Sequence, residues 1–160
     1  MVGKERFCWK AGYYLEKFHE GSAKPYEIRE GKGNLGLNEG FNELWALVVG
    51  SSSNHFGSAT LSQIGIGDST VAATVTQTDL VATPNAFYKG MTTNYPTSKG
   101  EAGKMYFKAE FATTEANFAW QEWSIKQSVS NLNLNRKVES LGTKDGGTWT
   151  LEVYLALQNA

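Results

Sequence analysis

Gly31-Lys-Gly-Asn-Leu-Gly36 spells the glycine pattern that cradles a dinucleotide pyrophosphate, and a helical stretch follows it. That chemistry needs more than glycines: a buried strand before the loop and a βαβ crossover after it. Here the preceding run Pro25–Glu30 is charged, and no second helical stretch follows to build a parallel sheet. The glycines read as a connection between a hairpin and a helix, and no dinucleotide is expected. The two histidines, His19 and His55, offer no zinc pair. His19-Glu20 opens like H-E-x-x-H, but Ala23 occupies the second ligand position, and His55 lies in a Ser/Asn/Gly loop. Asp68, Asp79 and Asn54 supply the oxygen atoms calcium prefers, without the spacing of an EF-hand. Neither a metal nor a cofactor is expected.

Catalysis by a nucleophile or a carboxylate pair fares no better. No Gly-x-Ser-x-Gly occurs, and Cys8 stands beside Trp9 in an aromatic strand, where a cysteine acts as a small apolar group. Glu110, Glu115 and Glu122 are the residues from which a glycosidase-type pair would be drawn. Glu110 alternates with apolar residues and so points to solvent. Trp120, Trp123 and Trp149 raise the possibility of a sugar-stacking platform. Trp123 and Trp149 fall on inferred core faces, which leaves Trp120 and Tyr154 as the aromatics expected at the surface. The chain is expected not to be an enzyme.

These residues sit on a pattern of short strands. Thr148–Leu157 alternates cleanly, with Trp149, Leu151, Val153, Leu155 and Leu157 on one face and Thr150, Glu152 and Tyr154 on the other. Lys104–Phe111 does the same, with Met105, Phe107, Ala109 and Phe111 inward and Lys104 and Lys108 outward. Further strands are expected at Leu61–Ile66, Phe87–Tyr95, Trp120–Lys126 and Leu132–Leu141, with a helical turn at Thr76–Leu80. Asp145-Gly-Gly147 predicts a hairpin joining the last two strands. Residues 5–18 and 25–30 predict an N-terminal hairpin around the turn residues His19–Lys24. A single amphipathic helix is expected over 38–49, capped by Asn38, with Phe41, Leu44, Trp45 and Val48 as its buried stripe. The fold class is therefore mainly β: an antiparallel sandwich or partly closed barrel with one helix. Residues 1–160 read as a single domain in which 1–31 form a peripheral arm.

With 160 residues, the chain is long enough to bury a core without staples. Its formal net charge of −1 provides no footprint for nucleic acid or an anionic membrane. One cysteine allows no internal disulfide. Met1–Phe7 lacks a signal-type apolar core, and the longest apolar run, Leu44–Val49, is far too short to span a bilayer, so a soluble protein made without a Sec-type signal is expected.

Several blocks in order resemble a family of tailed-bacteriophage virion structural proteins. They are Gly33–Trp45, Ile64–Ser69 with Thr76–Leu80, Glu115–Ile125, Leu134–Val138 with Gly142–Lys144, and Thr148–Leu157, together spanning about residues 30–157. Relatives of that kind are head-decoration (cement) proteins and tail-fibre or baseplate components. The resemblance implies a part of the virion, on the exterior of the head, whose partner is the major capsid protein. It also implies a homo-oligomer, a trimer at local three-fold positions, that stabilises the assembled shell by bridging neighbouring subunits. On this reading Arg6, Trp9 and Tyr13 of the N-terminal arm are the candidate capsid contacts. The alternatives are a tail-fibre or baseplate subunit, a carbohydrate-binding module and, last, a virion-associated glycosidase.

Overall fold

The computed structural model describes residues 6–159, so the reading of Met1–Glu5 as free of a signal core falls outside the described residues. The elements in chain order are β1 (Phe7–Phe18), β2 (Glu27–Lys32), β3 (Leu35–Gly36), α1 (Asn38–Val48), β4 (Ser62–Gly67), β5 (Ala86–Gly90), β6 (Lys104–Phe111), β7 (Ala119–Gln127), β8 (Asn135–Thr143) and β9 (Thr148–Asn159). They form two antiparallel sheets, β2-β1-β9-β6 and β3-β8-β7-β4-β5, packed face to face as a sandwich. The barrel alternative falls because the two sheets share no strand. The segment Thr76–Leu80 follows a turn at Val75–Thr76 and is otherwise irregular, not a helical turn.

The alternation of β6 and β9 builds the core as expected. Phe107, Ala109, Phe111, Trp149, Leu151 and Val153 are all buried, and Ile64, Ile66, Trp123 and Ile125 oppose them from the other sheet. Two positions depart from the alternation. Met105 is 41% exposed because it lies where the sandwich opens into a slot. Thr150, expected to be solvated, is 6% exposed, since Glu16 and Glu110 flank it in register on both neighbouring strands. Lys104, Lys108 and Glu152 are only half-exposed, because the segment 92–101 folds over that face. Its Tyr95 hydroxyl and Lys99 Nζ both donate to Glu152, at 2.6 Å each.

The N-terminal hairpin forms, but it is not an arm. All 12 residues of β1 lie in register with β9, while β2 pairs on its other side. Ala11, Tyr13 and Leu15 enter the core. A strand hydrogen-bonded on both sides is interior to its sheet, so the expectation of a peripheral 1–31 segment is corrected.

The Asp145–Gly147 step is likewise not a hairpin. β8 and β9 belong to different sheets, and the step carries the chain from one to the other. Gly147 has φ +63°, and a Cβ there would stand 2.0 Å from the Phe18 carbonyl oxygen, so only glycine fits this corner.

Trp120 is fully buried, which overturns its placement at the surface. The register of β7 against β8 shifts between Trp120 and Glu122, so the simple alternation is broken there. Trp120 and Trp123 both reach the interior. Trp120 packs edge-on against Phe111 and Trp149, with centroids 4.8 Å away in each case, and its Nε1 donates to the Ala116 carbonyl at 2.9 Å.

Candidate functional site

Two of the three glutamates considered for catalysis, Glu115 and Glu122, are tied into the fold by ion pairs. Glu122 on β7 and Arg136 on β8 are both fully buried, with Arg136 Nε donating to Oε2 at 2.5 Å. Glu122 Oε1 also accepts from the backbone amides of Val81 and Ala82, at 3.1 and 2.7 Å. Arg136 Nη1 donates to Gln77 Oε1 at 3.0 Å. The pair thus fastens the segment between β4 and β5 across the outer face of its sheet. Both carboxylate oxygens are occupied in a site closed to water, an arrangement suited to anchoring rather than to proton transfer. Glu115 is held by Lys89, at 2.7 and 2.9 Å, and by the Ala112 amide, while Glu110 is exposed. The three glutamates therefore occupy three separate environments.

The remaining polar candidates are also dispersed. His19 stacks on Tyr26 with centroids 4.2 Å apart, and His55 Nδ1 accepts from the Gly57 amide. Asp68 accepts from Asn85 Nδ2 at 2.7 Å, and Asp79 accepts from Tyr88 and from Lys126 Nζ, the latter at 3.1 Å. Burial first, and then Asp79, raises the Tyr88 phenol well above its ordinary value. Cys8 is half-buried on β1. Gly31 belongs to β2, opposite Tyr13, and Leu35–Gly36 pair with β8, so the glycine-rich run is a strand connection.

The candidate capsid contacts do not form one surface. Arg6 is exposed. Trp9 is half-buried, donates from Nε1 to Asn34 Oδ1 at 2.6 Å and meets the Phe41 ring edge-on at 5.1 Å. Tyr13 is only 6% exposed and faces Trp123 across the core at 6.4 Å, so little of it is open to a partner. Burial and then the neighbouring Glu139 carboxylate push its phenol up to about 12.

The most informative surface is α1, which is rotated from the expected orientation: Phe41 and Leu44 of the expected stripe are half-buried, Leu44 against the core and Phe41 against Trp9, but the other half of the stripe is not covered. Trp45 and Val48, assigned to the buried stripe, are 69% and 74% exposed, and Val49 joins them at 71%. Gly40 and Glu43 are the residues buried instead. Polar contacts and close approach set this rotation. Glu39 accepts from the Asn133 amide at 2.7 Å, Glu43 accepts from Ser52, and a Cβ on Gly40 would lie 2.6 Å from the Leu134 Cα. Burial raises the Glu39 carboxyl above its usual range, against the lowering effect of the Asn133 hydrogen bond. The cap also differs: Leu37 is the N-cap residue and makes no side-chain cap bond. One sequence signal pointed this way. Phe41, Leu44, Trp45, Leu47, Val48 and Val49 spread over roughly 200° at about 100° per residue, too wide for a single sheet to cover.

Beside this ridge the sandwich opens into a slot of about 810 Å³. Trp9, Leu44, Leu47, Phe56, Met105 and Leu155 line it, so its wall is mostly apolar. Phe7, two residues before Trp9 on the same strand face, is 69% exposed. A second, smaller cleft of about 500 Å³ lies on the outer face of the β1-β9-β6 sheet. Tyr14, Tyr106 and Tyr154 border it together with Glu30, Lys32 and Glu152, and the Tyr106 and Tyr154 rings are 5.9 Å apart. Tyr154, expected at the surface, is half-buried there.

Among the described residues no helix is long and apolar enough to cross a membrane. No protein-family model, no curated protein and no solved structure matches the chain.

Proposed function

We propose that this protein is a non-enzymatic assembly component of a tailed-bacteriophage virion, acting as a decoration protein that binds the assembled shell of major capsid protein and stabilises it. The observation that carries the reading is the outward-turned apolar face of α1, with Trp45, Val48 and Val49 all at least 69% exposed beside an apolar slot. A surface of that kind is unfavourable in water unless another protein covers it. The resemblance along residues 30–157 supports the same class of role, as does the use of the buried charges to anchor the fold. A shell-binding protein adds stability by mass action, since it binds the assembled state and not its dissociated parts.

The test uses phage particles made with and without this protein. The expected result is that particles form in both cases, and that those lacking it release their genome at lower temperature or after milder osmotic shock. Antibody labelling confined to the tail tip would reject the head assignment and favour a fibre or baseplate subunit. Absence of the chain from purified particles would reject the virion role altogether. One observation favours a second reading, contact with a host glycan: the tyrosine-lined cleft on the outer sheet face combines aromatic rings with carboxylates. Binding on a glycan array that is lost in Tyr154→Ala would support it.

A further inference from the structure

We propose that the apolar face of α1 is a self-association surface, in which the Trp45–Val49 ridge of one copy seats in the slot of a second copy. The inference rests on the assembly reading above, in which this apolar face marks protein contact: the face takes a second copy, and the oligomer so formed meets the shell through its other surfaces. Size is the first argument. Phe7, Trp45, Val48, Val49 and Met105 are between 41% and 74% exposed. Together they present on the order of 600 Å² of apolar side chain, at the upper end for a monomer and close to the about 800 Å² that each partner gives a standard interface.

Shape is the second argument. Leu44 and Leu47 line the slot, while their chain neighbours Trp45 and Val48 stand about 100° further round the helix. Knob and hole therefore share one face, and two copies can exchange knobs reciprocally in a closed arrangement. Chemistry is the third. Both carboxylates of α1 are turned inward, onto Asn133 and Ser52, and the rim residues Lys104 and Glu101 neutralise each other at 2.6 Å. Among the described residues lining the slot, Glu101 and Lys104 are the charged ones, so the slot itself offers no unpaired charge to select a charged partner or repel an identical copy. The sheet edge at β2, by contrast, carries Glu27, Arg29, Glu30 and Lys32, a pattern that discourages strand-to-strand pairing.

Sedimentation of the full chain decides the matter, with Trp45→Glu removing the knob and Ala102→Phe filling the hole. Both side chains are exposed, so thermal unfolding monitored by circular dichroism should show each variant folded. The wild-type chain is expected to sediment as a multimer at micromolar concentration. Each variant is expected to fall to the 17.6 kDa monomer, with self-affinity weakened at least about 100-fold. A wild-type monomer persisting at about 100 µM, where even weak specific pairs associate, would overturn the proposal. So would a multimer that both variants leave intact. A monomer that binds phage heads through Trp45 would overturn self-association and leave the assembly reading standing. A Trp45-dependent multimer that is absent from particles would uphold self-association and remove the assembly reading.

Discussion

Replacing Arg136 with methionine takes a guanidinium out of a site closed to water and leaves the Glu122 carboxylate without its counter-charge. Both side chains are fully buried, so solvent screening does not discount the effect. Breaking one half of such a pair costs about 3–5 kcal/mol. The amides of Val81 and Ala82 remain on Glu122 and moderate the orphaned charge, while Gln77 Oε1 loses the guanidinium but keeps the Thr74 amide at 2.9 Å. A loss of about 4 kcal/mol is therefore expected, a large part of the 5–15 kcal/mol of a typical domain. The double variant Glu122→Leu with Arg136→Met removes both charges and orphans only the two amides, for a smaller loss of about 2 kcal/mol. Urea denaturation of the three proteins measures these losses, and amide hydrogen exchange locates them. Exchange in Arg136→Met should accelerate first across residues 77–82, the segment the pair fastens. A single-variant loss below about 1 kcal/mol, or a double variant less stable than Arg136→Met, would refute the reasoning.

Deleting residues 1–18 should abolish cooperative unfolding, because β1 joins β2 to β9; a folded truncated domain, seen by near-ultraviolet circular dichroism, would contradict the topology. Gly40→Ala should destabilise the chain by about 1–3 kcal/mol despite the better helix propensity of alanine, since its Cβ would meet the Leu134 backbone. Trp45→Ala should stay within about 0.5 kcal/mol in denaturation experiments run at concentrations too low for association. Because the Tyr13 phenol rises from 10.0 to about 12, the folded chain holds a proton that the unfolded chain has lost between those values. Its contribution is full below pH 10 and lost as the pH climbs to about 12, so Tyr13→Phe should flatten part of the alkaline fall in the urea midpoint.

What the sequence determined by itself was the set of strands and most of the core. Alternation in Lys104–Phe111 and Thr148–Leu157 placed Phe107, Phe111, Trp149, Leu151 and Val153 inside, because a pleated strand sends successive side chains to opposite faces whatever its neighbours are. Turn residues and apolar spacing located the N-terminal hairpin and α1 for the same local reasons. Partnership between distant elements was not legible. Glycines at 146 and 147 mark a reversal whether the chain returns to the same sheet or crosses to the other, and only the packed sheets select the crossing. The register shift in β7 turned Trp120 into the core, and the charge of Arg136, fourteen residues on, drew Glu122 into a buried pair. The decisive case is α1. Its sequence holds more apolar surface than one sheet can cover, and local pattern cannot say which part is left over. That choice was made by Asn133 and Leu134, whose backbone needs an acceptor and a side-chain-free neighbour; Glu39 and Gly40 supply them, and the rotation this imposes turns Trp45, Val48 and Val49 to the outside.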